Sequence, residues 1–433
     1  MKAMLSLLLL HALPLAAFAA APVVTVTGGK TDQTNVVCSV ALPTGEARDV
    51  TALKLPDGKL IPAQVVQPAL LEPQDKTRDL VFVLPKLKAG ETVTLTPSTS
   101  GSSKTGPVFA FADEKGKHTD LLLGSKPVLR YINAPHDPGN HFLTFKPFHH
   151  VYDPAEGKTL LTNGAYASAK EGLYPHHRGL FFGFNKISYG DKKTADIWHG
   201  TDNVFSQHDQ MLGTEAGPVL GRHRAAIGWH GKDGAAFARE YRELTAYNMP
   251  GGTLIDWSTI LSTLGGEVKL DGDPQHAGFH FRAAQEVAAK VQAEEAQAKK
   301  DKRPAAPAET YFLRPDGKGE PGDTRNWDPN RAKTPKGADL RTINMPWDAM
   351  SFVLDGKRYT VLRIDHPDNP KPSRGSERDY GRFGDYFEYT LKPDHPLRLR
   401  YRVWVQEGDM TVEQCNALAE AFVHPPAVKV QGN

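Results

Sequence analysis

Close to its end the chain runs Leu397-Arg398-Leu399-Arg400-Tyr401-Arg402-Val403-Trp404-Val405, apolar and charged side chains taking turns almost throughout. A period of two sends successive side chains to opposite faces of an extended strand, a sorting that a helix of 3.6 residues per turn cannot perform. Similar writing governs Ala236 to Tyr247 and Ile255 to Leu264. Long strands of this kind, with no alternation of strand and helix between them, predict a large antiparallel sandwich and argue against a doubly wound sheet. Upstream, short apolar runs separated by turn residues predict strands at Val23–Thr27, Val36–Val40, Leu80–Leu84 and Thr92–Leu95, with a hairpin from Lys54 to Leu60 around Pro56-Asp57-Gly58.

The expected fold class is therefore all-β. A small N-terminal β-sandwich over 20–103 ends in the polar linker Ser98 to Ser103, and a large antiparallel β-sandwich follows over 106–425. One insertion, about 283–340, interrupts it: Ala283 to Lys302 is rich in Ala, Glu, Gln and Lys and predicts a solvated helix. Arg303 to Leu340 is dense in Pro, Gly, Asp and Lys and predicts a long irregular loop. Thr411 to Phe422 predicts a short C-terminal helix. No internal repeat is present.

A basic start at Lys2, a short apolar core from Met4 to Leu15 and the exit Ala17-Phe18-Ala19 predict a secretory signal peptide over 1–19. The apolar run is shorter than the roughly 18 residues a membrane span needs, and no cysteine follows the cleavage site to take a lipid. The expected location is periplasmic or secreted, without membrane insertion. Lys and Arg number 52 against 50 Asp and Glu, and no basic stripe stands out, so nucleic acid is not an expected partner. Cys38 and Cys415 would be able to pair in an oxidising compartment; two separate buried thiols are the equal alternative.

Histidine carries the functional signal. Ten of the 17 lie between His136 and His230, where a uniform spread would put roughly four. Imidazole titrates near neutral pH, ligates metals and donates to hydroxyls. The densest motif is Tyr174-Pro175-His176-His177-Arg178-Gly179, leading into the apolar run Leu180 to Phe184. Its place at the entry to a strand suits a site rim, and alternation predicts His176 and His177 on opposite faces. Within Gly278-Phe279-His280-Phe281-Arg282, His280 and Arg282 share one face and the two Phe face a core; His276 stands just before. Asp365-His366-Pro367-Asp368-Asn369-Pro370 predicts a rigid loop at a sheet end, and Arg378 to Tyr386 adds charge and aromatic surface around Arg382.

The catalytic candidates are His176, His177 and Arg178, with either imidazole as general acid or base. Arg178, Arg282 and Arg382 are cast to hold hydroxyls or a uronate carboxylate. The expected binding surface comprises His149, His150, Trp198, His276, His280, Arg282, Asp365, His366, Asn369 and Arg382. Asp256, Asp365, Asp385 and Glu388 are possible carboxylates for glycoside chemistry, none singled out by spacing. No HExxH, CxxC or EF-hand loop is present, nor a G-x-S-x-G elbow or a nucleotide glycine fingerprint. A metal held by His149-His150 with His176 or His177 has no support from spacing, so no cofactor is expected.

At these motifs the chain resembles a bacterial family labelled PmoA-like, or methane oxygenase PmoA. The resemblance rests on Pro175 to Gly183, Asp196-Ile197-Trp198, Gly278 to Arg282 and Asp365 to Pro370, and spans most of Tyr131 to Tyr389. The oxygenase name does not carry over, since a membrane monooxygenase subunit needs membrane helices. The resemblance implies an exported protein of glycan-degrading bacteria with a carbohydrate substrate or ligand. By analogy it implies a sandwich similar to that of sugar mutarotases. Where the family carries an Asp-His pair ahead of the His-His-Arg-Gly run, this chain has Gly172-Leu173-Tyr174; where it carries a glutamate before the Gly-Phe strand, this chain has His276. Three readings follow: a glycan-acting hydrolase or lyase, a glycan-binding module without chemistry, or a structural envelope protein.

Overall fold

The computed structural model of the chain describes residues 23–42, 50–74, 77–99, 106–168, 170–273, 275–327 and 339–431. The expected signal peptide lies outside the described residues. Strands dominate, as the period-two writing requires, and the fold is an all-β sandwich architecture with short helices.

The N-terminal unit is one rolled sheet. Its strands run in the order Gln33–Leu42, Arg78–Leu87, Leu60–Val66, Ala52–Lys54, Thr92–Ser98, Val23–Thr27 and Ala427–Gln431. The Pro-Asp-Gly turn closes the hairpin in which Lys54 faces Leu60. The last strand comes from the far end of the chain: Val24 pairs with Val430, so residues beyond 425 return to the first unit.

Besides a smaller sheet of four strands, Lys193–Ala195, Lys186–Tyr189, Val268–Asp271 and Tyr389–Leu391, the large unit stacks two large sheets. One orders its eight strands as Arg374–Arg378, Arg382–Tyr386, Ala277–Arg282, Leu180–Phe184, Phe148–Val151, Lys126–Ile132, His118–Leu123 and Phe109–Glu114. The other places Phe205–Ala216, Leu220–His230, Ala236–Tyr247, Thr253–Thr263, Leu397–Glu407, Lys357–Asp365, Trp347–Leu354, Tyr311–Arg314 and Gly317–Lys318 side by side. Between them lies the main core, in which Phe182, Phe279 and Phe281 of the first sheet meet Trp257, Phe352 and Tyr401 of the second. Burying such aromatic side chains contributes about 1.5–3 kcal/mol apiece before chain entropy is charged against it.

The insertion departs from expectation in part. Gln285–Asp301 is the predicted helix. The stretch after it, expected to be irregular, instead folds Tyr311–Arg314 and Gly317–Lys318 into a hairpin on the edge of the second sheet, Leu313 facing Lys318. The apolar triplet Tyr311-Phe312-Leu313 is buried, a signal too short to stand out between Pro- and Gly-rich flanks. Val412–Val423 is the C-terminal helix, opened by a reciprocal cap between Thr411 and Gln414.

The disulfide is not formed: both cysteines are free and buried. Strand alternation is the reason. Cys38 points into the core of the N-terminal unit, while its neighbour Val37 faces the cluster that contains Cys415. Burial pushes both thiols up to about 12. Among the described residues no helix is long and apolar enough to cross a membrane.

Candidate functional site

The site is built on the face of the eight-stranded sheet turned away from the main core. On the strand Leu180–Phe184, Leu180, Phe182 and Phe184 enter the core, whereas Phe181 joins Phe148 and Trp198 in a small cluster on the opposite side. The neighbouring strand Ala277–Arg282 does the same: Phe279 and Phe281 face inward, and His280 lies 4.8 Å, ring to ring, from Trp198. This part of the pattern is as the sequence predicts.

The histidine motif is not a strand. Residues 174–179 form a turn, His177 N–H donating to the Tyr174 carbonyl at 3.0 Å. Gly179 makes the turn possible: its φ is +53°, and a Cβ there would sit 2.1 Å from the His149 carbonyl oxygen. Because the segment turns, His176 and His177 do not diverge to opposite faces; their rings lie 4.2 Å apart. His177 packs over Phe181 and Trp198, and His176 lies 4.5 Å from His199 and 6.3 Å from His276. His199 and His276 are themselves 4.9 Å apart.

His199 and His276 arrive on two loops of like design. In Asp196 to His199, the aspartate accepts the His199 backbone N–H and its ring Nδ1–H, both at 2.8 Å. The loop docks on the end of the Leu180–Phe184 strand, Ile197 N–H donating to the Phe184 carbonyl at 3.0 Å. Asp273 accepts the His276 Nδ1–H at 2.8 Å, and Asn185 Nδ2 donates to its other oxygen at 3.1 Å. Each aspartate thus fixes one imidazole and leaves Nε2 free. One ring nitrogen each from His176, His199 and His276 lies within 4.8 Å of the others. Sequence reasoning gave His276 and missed His199, Asp196 and Asp273; the signal was there in the two Asp-x-x-His spacings.

Beneath these half-buried rings several polar atoms have no partner among the described residues: His176 Nε2, both nitrogens of His177 and Trp198 Nε1. Burial, then the neighbouring His176, holds His177 neutral by lowering its pKa well below the usual histidine range. Lys146 is buried beside them. Its ammonium donates to the Trp198 carbonyl at 2.8 Å and faces the Phe181 ring at 4.6 Å, and desolvation lowers its pKa well below 10.5. At the rim Tyr174 is 44% exposed, 5.0 Å from Tyr380 and 6.2 Å from His176.

The arginines serve the scaffold. Arg178 donates to the carbonyls of Leu143 and Phe142 and stacks on the Phe145 ring at 4.3 Å. Arg282 donates to the carbonyls of Tyr380 at 2.6 Å and Leu173 at 3.2 Å. Arg382 spreads its fork over His280 Nδ1, Ser376 and Tyr380 at 2.9–3.2 Å. Since His280 donates from Nε2 to the Ala277 carbonyl at 2.8 Å, both its nitrogens are occupied.

Other expected residues lie elsewhere. His149 is inside the main sandwich, its Nε2 3.0 Å from that of His223 and its ring stacked 4.6 Å from Tyr131; on a strand whose Phe148 faces the site, the next residue must face the core. His150 shares the site's side of the sheet but bonds Thr162 at 3.0 Å and lines a separate open groove of about 470 Å³ with Tyr166 and Ile132. Asp365, His366 and Asn369 form their own network at the end of the Lys357–Asp365 strand. There Asn369 donates to Asp365 at 2.6 Å, Lys371 pairs with Asp365, and His366 faces Phe422 of the C-terminal helix at 5.3 Å.

The architecture is thus that of an all-β, two-unit protein with an imidazole-lined site on the outer face of its larger sandwich. A profile of the DUF6807 family, described as a family of unknown function, matches residues 118–420; the chain belongs to that family. No curated protein matches it by sequence. Among solved structures it is similar to an alpha-mannosidase from Enterococcus faecalis V583, at 9% identity and TM-score 0.42, covering 95% of this chain and 46% of that one. It is also similar to a protein in the glycosyl hydrolase family 38 from Enterococcus faecalis, at 10% identity and TM-score 0.40, covering 95% and 47% respectively. The chain spans less than half the length of either.

Proposed function

We propose that the chain is an exported carbohydrate-active protein that works on a glycan at His176, His199 and His276. The observation that carries this reading is the meeting of three half-buried imidazoles with the exposed Tyr174 ring at one rim. A flat aromatic face beside planar polar groups suits a sugar, whose ring offers C–H bonds on one side and hydroxyls around its edge. Burial, then the neighbouring His199, lowers the pKa of His176 far below the usual histidine range, so its ring is neutral and offers a lone pair to a sugar hydroxyl. The leader-like start of the sequence and the PmoA-like resemblance support the same reading. Catalysis shifts accordingly from the His176–His177–Arg178 run to the three-histidine set, with His177 and Arg178 placed beneath it.

The test incubates the protein with a polysaccharide panel and follows new reducing ends and unsaturated products. Turnover that disappears in His176→Ala with His276→Ala, while the circular dichroism spectrum is kept, supports the reading. Turnover unchanged in that variant overturns it. A second reading, glycan capture without chemistry, is favoured by the commitment of Arg178 and Arg282 to backbone carbonyls, which leaves few cations for charge developed during a reaction. Binding on the same panel with no product would select it.

A further inference from the structure

We propose that His176, His199 and His276 bind one divalent transition-metal ion of the zinc class, with Asp196 and Asp273 holding two of the rings from behind. The inference concerns the same rim as the proposed function but stands on donor geometry, not on any sugar.

Three features of the site converge on it. First, the ring nitrogens come from three separate segments and still lie within 4.8 Å of one another. Zinc–nitrogen bonds are about 2.0–2.1 Å. A point equidistant from the corners of a triangle with sides of about 4.8 Å is roughly 2.8 Å from each, so ring movements of about 0.7 Å reach bonding distance. Secondly, His199 and His276 each give Nδ1–H to a carboxylate at 2.8 Å. That contact fixes the tautomer, so the Nε2 lone pair points outward, and it raises the ring's basicity; carboxylate–histidine–metal arrangements use the same contact. Thirdly, His176 Nε2 is buried with no partner among the described residues, a costly state that a metal ion would relieve.

Two plainer accounts explain less. Simple ring packing accounts for centroid distances of 4.5 and 4.9 Å but not for a carboxylate behind each of two rings. An anion site of protonated imidazoles would set like charges side by side near Arg382, whereas two aspartates balance a dication on three neutral ligands. Imidazole donors suit zinc, copper, iron and nickel over magnesium or calcium. Three protein ligands would leave a fourth position for water or a hydroxyl of the ligand.

The experiment titrates untagged, chelator-stripped protein with zinc chloride by calorimetry, and repeats the titration with magnesium and calcium chloride. One zinc per chain and no comparable magnesium or calcium binding is expected. His276→Ala should abolish the site, and Asp273→Asn should weaken it by about 10- to 100-fold, with urea midpoints taken without metal to show that both variants fold. His223→Leu, in the buried core, should bind zinc as the parent does. Absence of stoichiometric zinc binding in the parent, or equal binding in folded His276→Ala, overturns the inference. Zinc bound at these residues with neither glycan turnover nor glycan binding removes the carbohydrate reading alone; glycan turnover with no zinc binding removes the metal alone.

Discussion

Replacing Arg363 by Met would test what holds the two large sheets in register at the end nearest the site. Arg363, on the Lys357–Asp365 strand, is fully buried. It lies 2.9 Å from Asp348 on the adjacent strand and 3.0 Å from Asp385 on the opposite sheet. Met fills much of the same volume, so the packing change alone should cost less than about 1.5 kcal/mol. Removing the only cation paired with both carboxylates among the described residues leaves uncompensated buried charge, which costs about 3–5 kcal/mol. The pH dependence supplies a second check. Burial pushes Asp348 up to about 7 and Asp385 up to about 6 even with Arg363 present. Without it both rise further. A carboxyl with a folded pKa above its unfolded value binds more protons in the native state, so stability falls as pH rises through that interval. The variant should therefore be close to the parent near pH 5 and worst near pH 8. Urea unfolding at both values measures the difference. A cost under about 1 kcal/mol at pH 8, or the same cost at pH 5, would refute an ionic tie between the sheets.

The buried pair His149 and His223 should make the fold acid-sensitive. Desolvation lowers His223 to about 3 and His149 well below 6.5, so the unfolded chain binds protons that the native core refuses. Stability should fall as pH drops below about 6.5, and His223→Leu should flatten that slope by up to about 1.4 kcal/mol per pH unit; urea midpoints at pH 4.5, 5.5 and 6.5 read it, and an unchanged slope rejects it. Gly179→Ala should destabilise by about 2–5 kcal/mol, from positive-φ strain together with backbone overlap at His149, and a chemical denaturation curve within 1 kcal/mol of the parent would contradict the turn geometry. Because both thiols are free and buried, the melting temperature should be the same with and without reductant, and alkylation of the native protein should be slow; rapid labelling of either thiol would count against the packing described.

Much of the architecture was legible because a strand writes its two faces in alternate letters. Phe279 and Phe281 entered the core and His280 faced away from it, and the residues 397–407 became an inner strand of the nine-stranded sheet. The limits were equally physical. Ala427–Gln431 pairs with a strand some 400 residues away in sequence, and no local pattern names a partner at that distance. The Tyr311–Arg314 strand was hidden by the Pro and Gly around it. At the site Pro175 and Gly179 break the strand, so alternation does not hold at His176 and His177 and their rings adjoin. Counting histidines pointed to the right stretch of chain without saying which face each would occupy, and His149 went to the core by one residue of register. His199 does not stand out in a histidine count, since its placement depends on Asp196 three residues before it.

Buried arginine and histidine look alike in a composition and take opposite parts in this molecule. Loops that leave a sheet lose their ladder partners, and their carbonyls still need donors. Arg282 supplies two, at Leu173 and Tyr380, and so holds both the turn that presents Tyr174 and His176 and the turn that carries Tyr380. Arg178 does the same for the carbonyls of Phe142 and Leu143, and Arg382 locks His280 in one tautomer. Burying three guanidinium groups with few carboxylates beside them is costly: burial lowers Arg178 to about 9, and burial together with the neighbouring Arg382 lowers Arg282 to about 10. A fold that bears this cost beside one cluster of imidazoles, and meets so many of their N–H groups with loop carbonyls, is stabilising the placement of those loops. The imidazoles of His176, His199 and His276 are then the groups left with free nitrogens at the rim.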